Sequence, residues 1–218
     1  VFNIGFDSFR DTTLNEYLCL EAFALTKLFF VHSPSVLTSN LLALFCFHIA
    51  RIPAKIESDK PVSFFNQARC KWDKKLISLG FQYLQKPLEV NKFYIEAVIV
   101  SKYMSKDELS LHDWKDIVKL YETLQNVTDS PVVKLSYCFC LSKINQTERA
   151  LTLLSEIEKV IPRGHLYFTL IKARIIKESS PKESYDLFQS AMNNVNQEIR
   201  KDYLLENELL PFLTEIKE

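Results

Sequence analysis

Ile117-Val118-Lys119-Leu120 returns 34 residues on as Leu151-Thr152-Leu153-Leu154, and again as Tyr185-Asp186-Leu187-Phe188. Val127, Ile161 and Val195 mark a third column at the same spacing. A period of that length with apolar residues in register is the signature of helical hairpins, each of which buries its apolar face by stacking on its neighbours.

The small and apolar positions around these columns are those of a degenerate tetratricopeptide unit. Ala150, Leu154 and Ile157 precede Pro162 at a closing turn; Ser184, Phe188 and Ala191 follow the same order without a closing proline. The echo begins near Asp113, so residues 113–218 read as tetratricopeptide-like hairpins with a C-terminal capping helix. Residues 1–112 read as a non-repeating helical front half, continuous with them as one domain. The fold class expected is all-α: a right-handed array of antiparallel helical hairpins, a tetratricopeptide-like α–α superhelix of about ten helices.

Composition supports helices. Three glycines in 218 residues cannot supply the positive-φ turns that most β and α/β folds require. Lys plus Arg and Asp plus Glu number 27 each, so no global basic field drives contact with nucleic acid. The five cysteines, Cys19, Cys46, Cys70, Cys138 and Cys140, lie in apolar helical patterns without a CxxC pair, and read as buried free thiols of a reducing cytoplasm. Val36 to Ile52 is the most apolar stretch, yet Thr38, Ser39, Asn40, His48 and Arg51 make it too polar and too short for a membrane crossing. Val1 is not an initiator residue, and the chain reads as a piece of a longer protein.

Along the chain, Asp11-Thr12-Thr13 offers caps for a first helix carrying Leu14, Leu18, Ala22, Leu25 and Leu28, ending near His32-Ser33-Pro34. A central, buried helix runs to Ile52, where Pro53 stops it. After a polar loop from Lys55 to Pro61, the stripe Phe64, Ala68, Trp72, Leu76, Leu79 and Tyr83 predicts one long helix over 63–85. Helices over 93–104, from 113, over 132–144 and 147–160, about 164–178 and 181–192, and 197–217 complete the series, with Pro211 placed to kink the last.

Chemistry-bearing patterns are few. His32, His48, His112 and His165 lack metal-ligand spacing, and no GxSxG, Walker or GxGxxG element occurs, so neither enzymatic activity nor a metal or cofactor is expected. A catalytic pocket around His48 and Arg51 is the weakest reading, since no nucleophile accompanies the pair. The cluster Arg51, Lys55, Gln67, Arg69, Trp72 and Asp73 flanks one loop at the ends of consecutive helices. Arg51, Lys55, Gln67, Arg69 and Trp72 of it are the candidate interaction surface, set against a purely structural salt-bridged knot.

The order of local motifs resembles the C-terminal helical extension of one group of extracytoplasmic-function RNA polymerase sigma factors. That family's F-N-E-G-Y element stands here as Phe2-Asn3-Ile4-Gly5-Phe6, and its L-L-A-L-M-L-x-x-x-A-R-x-x-A-R helix as Leu41 to Lys55. Q-D-R-x-x-W appears as Gln67-Ala68-Arg69-Cys70-Lys71-Trp72, with Ile77 and Gly80 where an I-x-x-G is usual, and Q-A-A-I-A as Glu96 to Val100. D-W-x-x-I-x-x-L-Y is intact from Asp113 to Tyr121, and S-P-x-V follows at Ser130 to Val133. Ile4 and Ala68 replace family acids, Pro53 interrupts the double-arginine run and Lys55 replaces its last arginine.

The resemblance implies a bacterial, cytoplasmic regulatory domain that modulates transcription initiation. Its partners would be the sigma-factor DNA-binding regions of the same full-length protein, RNA polymerase indirectly, or a regulatory protein. No direct nucleic acid contact by this fragment and no membrane association are expected. An unrelated tetratricopeptide-type protein-binding scaffold is the alternative.

Overall fold

The computed structural model describes residues 2–6, 14–58 and 60–215, and it is all-α apart from one minimal strand pair. Contacts divide the chain into two compact units, Val1–Glu108 and Leu109–Glu218.

In the first unit, α3 (Val36–Ile49) is the central element, with α2 (Glu16–His32), α4 (Lys74–Tyr83) and α5 (Lys92–Ser105) packed around it and α1 (Phe2–Phe6) packed on α2. Its sequence is apolar nearly all round, and Leu42 through Phe47 are all buried. The segment Val36–Ala54 is long and apolar enough to cross a membrane, with mean hydropathy 1.4, but 61% of it is buried inside the unit, the pattern of a core helix. Two of its polar residues bond across the packing: Ser39 Oγ donates to the Tyr83 carbonyl at 2.7 Å, and Asn40 Oδ1 accepts from Gln85 N at 2.9 Å, while Asn40 Nδ2 is buried without a partner. The first satisfies the last carbonyl of α4, which otherwise lacks a donor, and the second holds the amide of the chain just beyond that end.

Three expectations about this unit are corrected. The long helix over 63–85 does not form; 3₁₀ turns at Phe64–Asn66 and Arg69–Lys71 precede a shorter α4. Asp73 is the reason, because its Oδ1 caps the amides of Lys75 and Leu76 while its own N–H donates to the Ala50 carbonyl at 2.9 Å, starting the helix there. Helix α2 is capped by Asn15, whose Oδ1 accepts from Leu18 N at 3.2 Å, and Asp11-Thr12-Thr13 lies outside the described residues. Cys70 is exposed while the other four free cysteines are buried. The polar loop after α3 carries the strand pair β1 (Ile56–Glu57) and β2 (Lys60–Pro61), antiparallel with Ile56 opposite Pro61.

Helix α2 lies on α3 with little of its surface. Cys19 alone is buried, whereas Leu25 and Leu28 of the expected core stripe face outward together with Tyr17, Leu20, Phe29 and Val31.

The second unit contains α6 (Leu111–Val127), α7 (Pro131–Ser142), α8 (Thr147–Ile157), α9 (Leu166–Ile176) and α10 (Pro181–Asn194). Helix α7 pairs with α8 and α9 with α10 as hairpins, and α7 packs on α9. The first two 34-residue columns fall on α6, α8 and α10, and the third begins on the last residue of α6, Val127, and continues just past α8 and α10 at Ile161 and Val195. Leu154 and Phe188 of the middle column are buried; Ala150 and Ser184, also 34 apart, are fully buried where the helices of a hairpin approach closely. Ser184 Oγ donates to the Ala173 carbonyl across the α9–α10 hairpin at 2.8 Å. Ser110 and Asp113 form a reciprocal capping box that begins α6. Pro131 occupies the first turn of α7, as expected.

The expected final helix is interrupted. Helix α11 (Glu198–Leu204) passes through a π turn at Leu205–Leu209 into α12 (Leu210–Glu215), directly before Pro211. Proline removes one donor from the ladder and crowds the preceding turn, which the wider π turn relieves.

Candidate functional site

Arg51, Lys55, Gln67, Arg69 and Trp72 come together in the first unit, and three of them are interior. Arg51 and Trp72 are 5% exposed and Gln67 is 6% exposed, so these three do not present anchors on a surface. Arg51 follows α3, and the 3₁₀ turn Ile52–Ala54 turns the chain back so that Lys55 follows on the same side. The Arg51 guanidinium carbon lies 3.8 Å from the Phe64 ring centroid and 5.7 Å from that of Phe6, and Lys55 Nζ stands 3.9 Å over Phe6. Arg51 Nε donates to Gln67 Oε1 at 3.2 Å, and Gln67 Nε2 donates to the Val62 carbonyl at 3.3 Å.

Among the described residues no carboxylate pairs with Arg51; aromatic faces and an amide oxygen stabilise its charge instead. Burial pushes the guanidinium down to about 9, still protonated at neutral pH. At Arg51 the structural knot that was the alternative to an interaction surface is cation–aromatic rather than salt-bridged.

Phe64 links this group to the next, since its ring also meets Trp72 at 6.0 Å and Tyr103 at 5.6 Å, both edge-on. Arg69 covers the Trp72 ring at 4.8 Å and donates to the carbonyls of Met104 (Nη1, 2.8 Å) and Tyr103 (Nη2, 3.2 Å). A guanidinium at the last carbonyls of α5 is the favourable end of the helix dipole. Its ion pair with Asp107 at 2.8 Å contributes little, because that carboxylate is almost fully exposed. The retained Q-x-R-x-x-W pattern therefore ties α5 to the loop that follows α3.

His48 stands one turn before Arg51, 4.9 Å from the Phe6 ring, with Nδ1 enclosed and without a hydrogen-bond partner. Burial, reinforced by the positive charges of Arg51 and Lys55, lowers it to about 3, so the imidazole is neutral. The unfolded chain titrates near the ordinary value of 6.5 and takes up a proton that the native state refuses. Stability of the first unit should therefore be full above pH 6.5 and fall as the pH drops from there toward 3, by at most about 1.4 kcal/mol per pH unit from this group. Urea midpoints measured across that range should flatten in His48→Leu relative to wild type.

The second unit holds a cleft of about 560 Å³ that the sequence reading did not find. Glu122, Gln125 and Asn126 of α6 form one wall, Arg149, Thr152, Leu153 and Glu156 of α8 the other, and Tyr137 of α7 lies between them. Tyr137 Oη donates to Glu122 Oε1 at 2.8 Å, and Arg149 Nη2 donates to the same oxygen at 3.1 Å. The Tyr137 phenol is pushed up to about 12, first by burial and then by its bond to Glu122. Side-chain amides and carboxylates on facing walls suit an extended polar chain. The residues involved are 15 and 27 positions apart, beyond any local spacing rule.

Among the described residues no group of three or more His, Cys, Asp or Glu side chains is placed to hold a metal ion.

Residues 1–88 match the model of a family described as a family of unknown function (DUF6596). The chain is 24% identical over 186 residues, 82% of its length, to "Uncharacterized protein R00370" of Rhizobium meliloti (strain 1021). That alignment covers 43% of the relative, so the chain spans less than half the length of the curated protein it matches. No solved structure matches the chain.

Proposed function

We propose that this chain is the C-terminal regulatory, protein-interaction part of a bacterial, cytoplasmic RNA polymerase sigma factor. It acts on initiation by docking on the sigma modules of the same protein or by binding a regulatory partner. The observation that carries this reading is the family-model match over residues 1–88, which contains the Phe2–Phe6, Leu41–Lys55 and Gln67–Trp72 motifs; regions matched by that model often follow sigma-factor regions. The balanced charge supports a role through protein contacts rather than promoter contacts. With Arg51, Gln67 and Trp72 interior, partner contact falls to the cleft between α6 and α8 and to the outward face of α2.

A direct test deletes this region from the intact protein and measures promoter-dependent transcription, alongside promoter binding by the excised chain. Altered transcription with no promoter binding is expected; a footprint from the excised chain would contradict the reading. The α6–α10 hairpins favour a second reading, a tetratricopeptide-type scaffold unconnected with transcription. Sequence upstream of Val1 separates the two, since a helix-turn-helix region there supports the first and a secretion signal the second.

A further inference from the structure

The cleft of the second unit is a groove with a built floor. Helices α6 and α8 both pack on α7, and the short connections on either side of α7 reverse the chain twice, so α6 and α8 run parallel. Tyr137 lies buried at the base, where Glu122 Oε1 accepts from both its phenol and Arg149. Arg149 Nη1 donates to Gln146 Oε1 at 3.2 Å, so both terminal nitrogens of the guanidinium are engaged within the protein. That network bridges the two walls. Further along the helices, Gln125 and Asn126 of α6 and Thr152, Leu153 and Glu156 of α8 line the open part.

The hydrogen-bonding capacity left unspent there is mostly that of acceptors. Gln125 Nε2 and Thr152 Oγ1 donate to carbonyls of their own helices, at 3.3 and 3.0 Å, which leaves their oxygens to accept. Among the described residues, neither Glu122 Oε2 nor the side chains of Asn126 and Glu156 has a hydrogen-bond or ion-pair partner. Two carboxylates stand against one arginine already committed to one of them, so the groove keeps an unbalanced negative charge. The helix ends add to it. Asn126 and Glu156 sit in the last turns of parallel helices, two negative dipole ends against the one positive end of α7, whose Lys134 is paired with Asp129. Glu156 is thus held at the unfavourable end of its helix, a cost that a bound cation removes.

We infer that this groove binds an arginine side chain of a partner protein, presented on an extended segment that runs between α6 and α8. A guanidinium offers five donors and no acceptor and stays charged, which matches a site rich in acceptors and short of positive charge. The Asn126 amide, with both a donor and an acceptor, meets a peptide unit of the segment. A volume of about 560 Å³ lies within the range of about 300–1,000 Å³ for ligand pockets and holds one long side chain with its flanking peptide units. The inference rests on the protein-interaction reading above and not on the link to transcription.

Nuclear magnetic resonance titration of the 218-residue chain with the capped peptide acetyl-Gln-Ser-Arg-Ser-Gln-amide tests it. Amide shifts should saturate along α6 and α8 with a dissociation constant of about 0.1–1 mM, the scale of a single short anchor. The same peptide with citrulline for arginine keeps the shape but loses the charge, and should bind at least about tenfold more weakly. Glu156→Gln should weaken the arginine peptide by a similar factor. Thr152→Trp fills the groove without changing its charge and should abolish binding; both positions are exposed, so far-ultraviolet circular dichroism should stay unchanged. Glu158→Gln removes the same charge outside the groove and should leave affinity within about twofold. No saturable shift, equal binding of the citrulline peptide, or a Glu158→Gln loss matching that of Glu156→Gln would overturn the inference. Such a failure leaves the protein-interaction reading standing if deletion of the region still alters transcription, whereas a bound arginine peptide with unaltered transcription counts against the transcription reading alone.

Discussion

Gly80→Ala should destabilise the first unit by about 2 kcal/mol, although alanine is the better helix former. A Cβ at Gly80 would stand 2.6 Å from Phe47 Cε1, 2.9 Å from Phe47 Cδ1 and 3.2 Å from Cys46 Cβ. Phe47 is fully buried and held edge-on against Phe81 at 5.0 Å, so its ring cannot swing clear without displacing α4 from α3. Overpacking of this kind costs about 1–3 kcal/mol or more, and we place this site at the upper end; helix propensity returns about 1 kcal/mol. Urea unfolding followed by circular dichroism measures the difference. In Phe47→Leu the same glycine substitution should cost much less, because the obstructing ring is gone, and the cycle isolates that contact. If Gly80→Ala raises stability instead, as in an exposed helix, the close approach of α4 to α3 is wrong. The resemblance pattern I-x-x-G at Ile77 and Gly80 thereby acquires a physical reason.

Phe188→Ala should cost the second unit about 3–5 kcal/mol, the range for removing a buried aromatic from a core. Phe188 is 1% exposed and belongs to the cluster of Leu170, Ala173, Ala191, Val195, Leu204 and Leu209, so its ring joins α10 to α9 and to the C-terminal segment. Leu154→Ala, one repeat earlier in the same column, should cost about 2–5 kcal/mol. Val127→Ala, in a column whose first member is exposed, should cost well under 1 kcal/mol. Thermal or urea melts of the three variants give the comparison directly. A Phe188→Ala effect below about 1 kcal/mol would mean that the column does not hold the hairpins together.

How far the sequence could be read depended on whether the deciding interaction was local. The 34-residue echo located α6, α8 and α10 because its first two columns sit on helices whose neighbours in sequence are also their neighbours in space. Apolar saturation identified α3 as the central helix for a similar reason, since burial on all sides leaves no polar face to mistake. The stripe over 63–85 misled because Phe64, Ala68 and Trp72 satisfy a four-residue period while the backbones of Gln67, Ala68 and Trp72 are extended. What breaks that helix is a bond from Asp73 N to the Ala50 carbonyl, 23 positions away.

The candidate cluster divides along the same line. The structure brings its five members near one loop, but the burial of Arg51 depends on Phe6 and Phe64 both meeting it, and Phe6 lies 58 positions from Phe64. The Tyr137, Glu122 and Arg149 contacts were missed outright, because three helices must assemble before that cleft exists.

For this protein the sequence alone determined the all-α class and the identity of the central helix, because helix formation and apolar period are properties of short segments. Tertiary structure decided which apolar faces are covered. Helix α2 is apolar on several sides, so composition could not tell the face that packs around Cys19 from the one that bears Tyr17, Leu28 and Val31. Only docking against α1 and α3 makes that choice, since burial is a relation between segments and not a property of one.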